Sequence, residues 1–61
     1  INVNQATATE LSQLVYINYQ LARKIILYRE AQDGIDSIDE LKNIEGFPSD
    51  KIDRIALYLS L

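Results

Sequence analysis

Residues 7–18 read Thr7-Ala8-Thr9-Glu10-Leu11-Ser12-Gln13-Leu14-Val15-Tyr16-Ile17-Asn18, and residues 37–48 read Ser37-Ile38-Asp39-Glu40-Leu41-Lys42-Asn43-Ile44-Glu45-Gly46-Phe47-Pro48. The second stretch superimposes on the first at a shift of 30 residues with no gap: Thr7 falls on Ser37, Glu10 on Glu40, Leu11 on Leu41, Leu14 on Ile44 and Ile17 on Phe47. Outward from there the match continues, with Lys24 on Arg54, Ile25 on Ile55, Leu27 on Leu57 and Tyr28 on Tyr58. Self-similarity at one fixed period means that a single supersecondary unit is used twice.

Each unit reads as a short helix, a tight turn and a longer helix. Thr7-Ala8-Thr9-Glu10 and Ser37-Ile38-Asp39-Glu40 are capping boxes, in which a hydroxyl accepts from an orphan helix amide and the glutamate reaches back. Leu11, Leu14 and Val15 then follow i, i+3, i+4 apolar spacing, as Ile38 and Leu41 do in the second unit. The longer helix of the first unit is expected from about Tyr19 to Ala31, with Ala22, Ile25, Ile26 and Arg29 on one face, Leu21 and Tyr28 beside it, and Gly34 as the stop signal. The longer helix of the second unit is expected to begin at Pro48, a residue suited to the first helical position. Its buried stripe is Ile52, Ile55, Ala56 and Leu59. Tyr28 and Tyr58 share a repeat position, and both are expected in the core with hydroxyls near the surface. No stretch shows strand alternation. These features predict one all-α domain over residues 1–61, a compact four-helix arrangement with a pseudo-two-fold repeat. The first unit covers 7–31, a polar linker 32–36 and the second unit 37–61, and both turns lie on one side.

Composition narrows the function. The chain has 61 residues, 48% of them apolar, which suffices for one small core and leaves no room for a large catalytic cleft. It contains no Cys and no His, so disulfides, thiol chemistry, zinc–thiolate sites and the usual general base are all absent. With no Gly-rich phosphate loop either, an enzyme is not expected, nor a cofactor or a divalent metal; Asp36, Asp39 and Glu40 sit where acids stabilise a helix start. No apolar run approaches the ~20 residues of a membrane span, so this segment is not expected to insert in a bilayer. The chain begins at Ile1 and contains no Met, so it is expected to be a processed product or a piece of a longer protein.

Charge is unevenly spread. Residues 11–29 hold Arg23, Lys24 and Arg29 and no acid, while residues 30–61 hold eight acids and three bases; the net charge of the chain is −3. The two turns, Val15-Tyr16-Ile17-Asn18 and Glu45-Gly46-Phe47-Pro48, each precede a longer helix. Each therefore presents free backbone N–H groups at a positive helix end, a natural place for a phosphate or carboxylate.

The opening Asn2-Val3-Asn4-Gln5-Ala6, with Glu10-Leu11, Ala22, Ile25-Ile26, Tyr28-Arg29, Ser37, Leu41, Ile44 and Gly46, resembles tandem helix-hairpin-helix domains of the ComEA type, known from bacterial competence and DNA uptake. The resemblance covers nearly the whole chain. It implies a Gly-hydrophobic-Gly hairpin in each unit, the first preceded by Leu-Pro. It also implies contact of hairpin amides with DNA phosphates without sequence readout, and a monovalent cation on the hairpin carbonyls. Relatives of that type are often exported or membrane-anchored; the residues themselves assign no compartment.

The sequence departs from the pattern at the hairpins. The first glycine position is Tyr16, where a bulky residue at positive φ is disfavoured and the ring would crowd a phosphate. The second is Asn18, which tolerates a left-handed backbone and could keep the role. In the second hairpin Gly46 and Phe47 match, but Pro48 replaces a glycine and removes an amide donor. The candidate phosphate contacts are Tyr16, Ile17, Asn18, Arg23, Lys24, Gly46, Phe47, Lys51 and Arg54. Tyr16 and Tyr19 form a candidate protein-contact patch, with stacking on single-stranded bases as a further option. Positive charge and the remaining glycine hairpin fall in different halves. The leading expectation is therefore a degenerate copy of the fold that serves as a structural or protein-contacting module, its partner another protein or the rest of the parent chain. The alternative is weak, non-sequence-specific binding of double-stranded DNA.

Overall fold

The computed structural model describes residues 1–61 and is helical without a β-strand. Helix α1 spans Ala8–Ser12, α2 spans Tyr19–Ala31, a 3₁₀ helix spans Ile38–Asn43, and a 3₁₀ turn at Ser49–Lys51 runs directly into α3, Ile52–Ala56.

Both capping boxes form. Thr7 Oγ1 accepts from the Glu10 N–H at 3.1 Å, and Glu10 Oε1 accepts from the Thr7 N–H at 2.9 Å. In the second, Glu40 Oε2 accepts from the N–H groups of Ser37 at 2.9 Å and Asp36 at 2.8 Å. The helix behind the second box is 3₁₀, so the two units begin alike and wind differently.

Helix α2 has the expected bounds. It ends in a Schellman arrangement, with the Gly34 N–H on the Arg29 carbonyl at 2.7 Å and the Asp33 N–H on the Glu30 carbonyl at 3.4 Å. The left-handed turn extends over Asp33 at φ 58° and Gly34 at φ 111°, so the stop expected of Gly34 alone is shared with Asp33.

The second unit departs from expectation in its longer helix, which is short. Pro48 does not open it: at φ −76° and ψ 82° it is the cap before the 3₁₀ turn. α3 has only five residues, and the chain beyond it passes through a turn to pair with the N-terminal arm. Ser60 N–H donates to the Ile1 carbonyl at 2.7 Å and the Ser60 carbonyl accepts from Val3 N–H at 2.8 Å, an isolated parallel bridge between the chain ends. Tyr58 consequently lies 52% exposed, not in the core, whereas Tyr28 is half-buried as expected. The Tyr28 hydroxyl donates to Glu40 at 3.2 Å.

The core consists of Val3, Ala6, Leu11, Ile17, Leu21, Ala22, Ile25, Ile35, Leu41, Ile44, Phe47, Ile52 and Ile55. Leu11, Ile25, Leu41, Ile55 and Val3 are its largest fully buried side chains, each contributing roughly 1.5–3 kcal/mol of transfer free energy. The expected α1 stripe breaks at Val15, which lies exposed on the first hairpin.

The N-terminal arm is tied down by polar side chains. Asn4 pairs with the backbone of Ile35 in both directions, its Nδ2 donating to the carbonyl at 3.0 Å and its Oδ1 accepting from the N–H at 2.7 Å. Arg29 Nη1 donates to the carbonyls of Val3 at 2.9 Å and Ala6 at 2.7 Å. The arm thus covers the core between the linker and the end of α2.

Candidate nucleic-acid interface

The two hairpins are built alike at the backbone. Ile17 N–H donates to the Leu14 carbonyl at 3.2 Å, and Phe47 N–H to the Ile44 carbonyl at 3.1 Å. The residue before each donor has positive φ, 69° at Tyr16 and 84° at Gly46. A turn bond with positive φ at the third position alone is the type II pattern, which asks for glycine there.

Tyr16 therefore occupies the backbone conformation that its side chain was expected to forbid. Buried Ile17 and half-buried Leu14 hold the turn at both ends, so packing overrides the local preference. The cost is on the order of 1–2 kcal/mol. Asn18, expected to supply the left-handed residue, does not. At φ −93° and ψ 176° it is the extended N-cap of α2, and its Oδ1 accepts from the Leu21 N–H at 2.8 Å.

Ile17 and Phe47 are buried anchors, and their N–H groups are engaged in the turn bonds. The remaining hairpin amides have no protein acceptor: those of Val15, Tyr16, Asn18, Tyr19 and Gln20 around the first turn, and those of Glu45, Gly46, Ser49 and Asp50 around the second. Pro48 has none to offer.

Both hairpins face one groove of about 310 Å³, lined by Tyr16, Asn18, Gln20, Leu21 and Lys24 from the first half of the chain and by Gly46 and Pro48 from the second. Lys24 crosses it, its Nζ donating to the Glu45 carbonyl at 3.3 Å. The positive charge of the basic half and the glycine hairpin of the acidic half, apart in the sequence, are thus brought together. Lys51 Nζ lies 5.4 Å from the centre of the Tyr16 ring, a cation–π contact across the same two hairpins, and makes a loose 3.9 Å pair with Asp50. Arg23 and Arg54 are exposed and form no ion pair, but they are not part of the groove wall. Glu45, Asp50 and Asp53 are exposed as well, and they dilute the positive field. Tyr16 and Tyr19 are 45% and 53% exposed.

Sequence reasoning missed Gln20 and Pro48 as groove residues, the reach of Lys24, and the engagement of Asn4 and Arg29. For Asn4 the signal was the recurring Asn of the opening motif. For Lys24 there was none, since its partner is a carbonyl and carries no sequence signature.

Two capped helix starts, two matched turns and a buried hydrophobic residue closing each turn define a helix-hairpin-helix arrangement. The family model described as helix-hairpin-helix motif matches residues 1–60. The chain belongs to the helix-hairpin-helix family. No curated protein and no solved structure matches it. Helix-hairpin-helix motifs typically bind nucleic acid, and here residues of both hairpins and Lys24 line one groove. No helix is long and apolar enough to cross a membrane.

Proposed function

We propose that this helix-hairpin-helix domain is a non-catalytic module that grips the sugar-phosphate backbone of nucleic acid weakly and without reading sequence. The observation that carries the reading is the groove in which Lys24 reaches from the first unit to the second hairpin, between two turns with unpaired amides. Backbone recognition needs amide donors and positive charge at one place, and this geometry supplies both. The turn at Tyr16 has the same hydrogen bond and positive φ as the turn at Gly46, which supports the reading at the first hairpin.

The chain is read further as a ComEA-type tandem of two units related by a pseudo-two-fold axis. Support comes from the 30-residue repeat, the paired capping boxes, the paired turns and the burial of Leu11 with Leu41, Ile17 with Phe47 and Ile25 with Ile55. Within that frame Lys24, Lys51, Arg23 and Arg54 supply charge, and the amides around Tyr16, Asn18 and Gly46 supply directed donors.

A second reading is a contact module for another protein or for the parent chain. It is favoured by the net charge of −3 and by the exposure of Tyr16 and Tyr19, residues of the kind enriched at interfaces.

The test is fluorescence anisotropy of labelled DNA, duplex and single-stranded, at low and near-physiological salt. Binding should weaken with salt by a log–log slope of about −0.7 to −0.9 per phosphate contacted. Lys24→Ala should reduce that slope by about one unit in proportion to its single contact. A folded domain that binds neither form at low salt would overturn the nucleic-acid reading and leave the contact module.

A further inference from the structure

We infer that the groove between the hairpins takes single-stranded nucleic acid, with one unpaired base stacked on Tyr16 and an adjoining phosphate at Lys24. The inference rests on the nucleic-acid reading above and narrows its ligand from backbone in general to an unpaired strand.

Tyr16 stands at φ 69°, at the turn position where the second hairpin has Gly46 at φ 84°. A bulky residue in this region is an outlier, and such strain concentrates at ligand sites. What the strained backbone presents is an aromatic ring, 45% exposed, forming part of the groove wall. Its contact with the Lys51 ammonium at 5.4 Å adds a cation to the ring, and an exposed cation–π pair of this kind is too weak to offset the strain in full.

The surroundings fit a nucleotide. The groove volume of about 310 Å³ lies at the small end of ligand pockets, of a size with a single base and its phosphate. Asn18 uses its Oδ1 as the helix cap, which leaves its Nδ2 donor, and Gln20 beside it carries both a donor and an acceptor. Together they can meet the edge of any base without selecting one. Lys24 Nζ is in the same groove for the phosphate, held only by a 3.3 Å bond to an exposed turn carbonyl. In a duplex the base faces are stacked and out of reach of Tyr16, whereas an unpaired strand exposes them to an aromatic platform.

The test uses a labelled ~12-nucleotide oligothymidylate and a duplex of equal length, titrated with the wild-type domain, Tyr16→Gly and Tyr16→Phe. The wild type should prefer the single strand, and its tyrosine fluorescence should be quenched on binding. Tyr16→Gly should lose roughly 5- to 100-fold more affinity for the single strand than for the duplex. Its melting temperature should hold or rise, since glycine relieves the left-handed strain, so lost binding cannot be ascribed to unfolding. Tyr16→Phe should keep the single-strand affinity. Undiminished single-strand binding by Tyr16→Gly, or a wild-type preference for duplex, would overturn the stacking inference and leave the backbone reading standing. Absence of binding to both forms would overturn the two together.

Discussion

Replacement of Arg29 by methionine is expected to lower the unfolding free energy by about 2–4 kcal/mol. One nitrogen, Nη1, donates to the carbonyls of Val3 at 2.9 Å and Ala6 at 2.7 Å, and both those residues are buried. A hydrogen bond from a charged donor contributes about 1.5–3 kcal/mol, and a buried carbonyl left without a partner costs about 1–3 kcal/mol. The two bonds share one donor atom on a half-buried side chain, so together they are worth about one charged hydrogen bond, about 1.5–3 kcal/mol. A further ~0.3–1 kcal/mol comes from losing a cation in the last turn of α2. At about 0.05–0.15 kcal/mol per residue the whole domain has only about 3–9 kcal/mol, so this one side chain is a large fraction of it. Arg29→Lys keeps the charge and can donate to one of the carbonyls, and should cost about half as much. Urea unfolding followed by far-ultraviolet circular dichroism reads both variants, with unchanged m-values required for the comparison. Arg29→Met within about 0.5 kcal/mol of wild type would refute the claim that the guanidinium fastens the N-terminal arm. Equal losses for Met and Lys would mean that guanidinium geometry, not charge, does so.

The core and the first cap give two more expectations. Ile25→Ala and Ile55→Ala remove fully buried side chains from corresponding positions, and each should cost about 2–5 kcal/mol by the same denaturation assay. Nearly unchanged stability in both would mean that the burial pattern is misassigned. The pKa of Glu10 lies below its ordinary value of 4.5, first because the Thr7 backbone N–H donates to it and second through the Thr7 side chain. Its folded pKa is depressed, so its stabilisation is present above the unfolded value and is lost as pH falls through the folded one. Wild-type melting temperature should therefore decline on acidification below about pH 4.5 more steeply than that of Glu10→Gln. Identical profiles would show that the capping box does not couple to folding.

Much of the fold was legible because local chemistry and the repeat agree. The capping boxes, the bounds of α2, the buried pairs and the position of both turns follow from residues within a few places of each other. What failed did so through contacts distant in sequence. The second unit was expected to carry a long helix because Ile52, Ile55, Ala56 and Leu59 have helical spacing. The chain ends pair instead through Ser60, Ile1 and Val3, with residues beyond Ala56 out of the helix and Tyr58 in water. The positive φ of Tyr16 was missed for the same kind of reason. The preference against it is worth on the order of 1–2 kcal/mol, less than the anchoring of Ile17 in the core.

The hairpins differ in what they keep, and on the proposed nucleic-acid reading they would have different tasks. The second keeps its unstrained turn at Gly46 but has Pro48 where an amide would be, and Glu45 and Asp50 stand beside it. The first carries the strain at Tyr16 and keeps every amide from Asn18 to Gln20 free for a ligand, at the start of a thirteen-residue helix. Of the cations in residues 11–29, Lys24 lies in the groove wall and Arg23 is exposed, whereas Arg29 is held by the N-terminal arm. A phosphate chain would accordingly be gripped chiefly by the first hairpin. The second would serve as the opposite wall, its carbonyl at Glu45 holding Lys24 over the groove until a phosphate takes its place. On that division of labour Lys24→Ala, which removes a groove residue, should weaken nucleic-acid binding more than Lys51→Ala, whose ammonium lies over the Tyr16 ring.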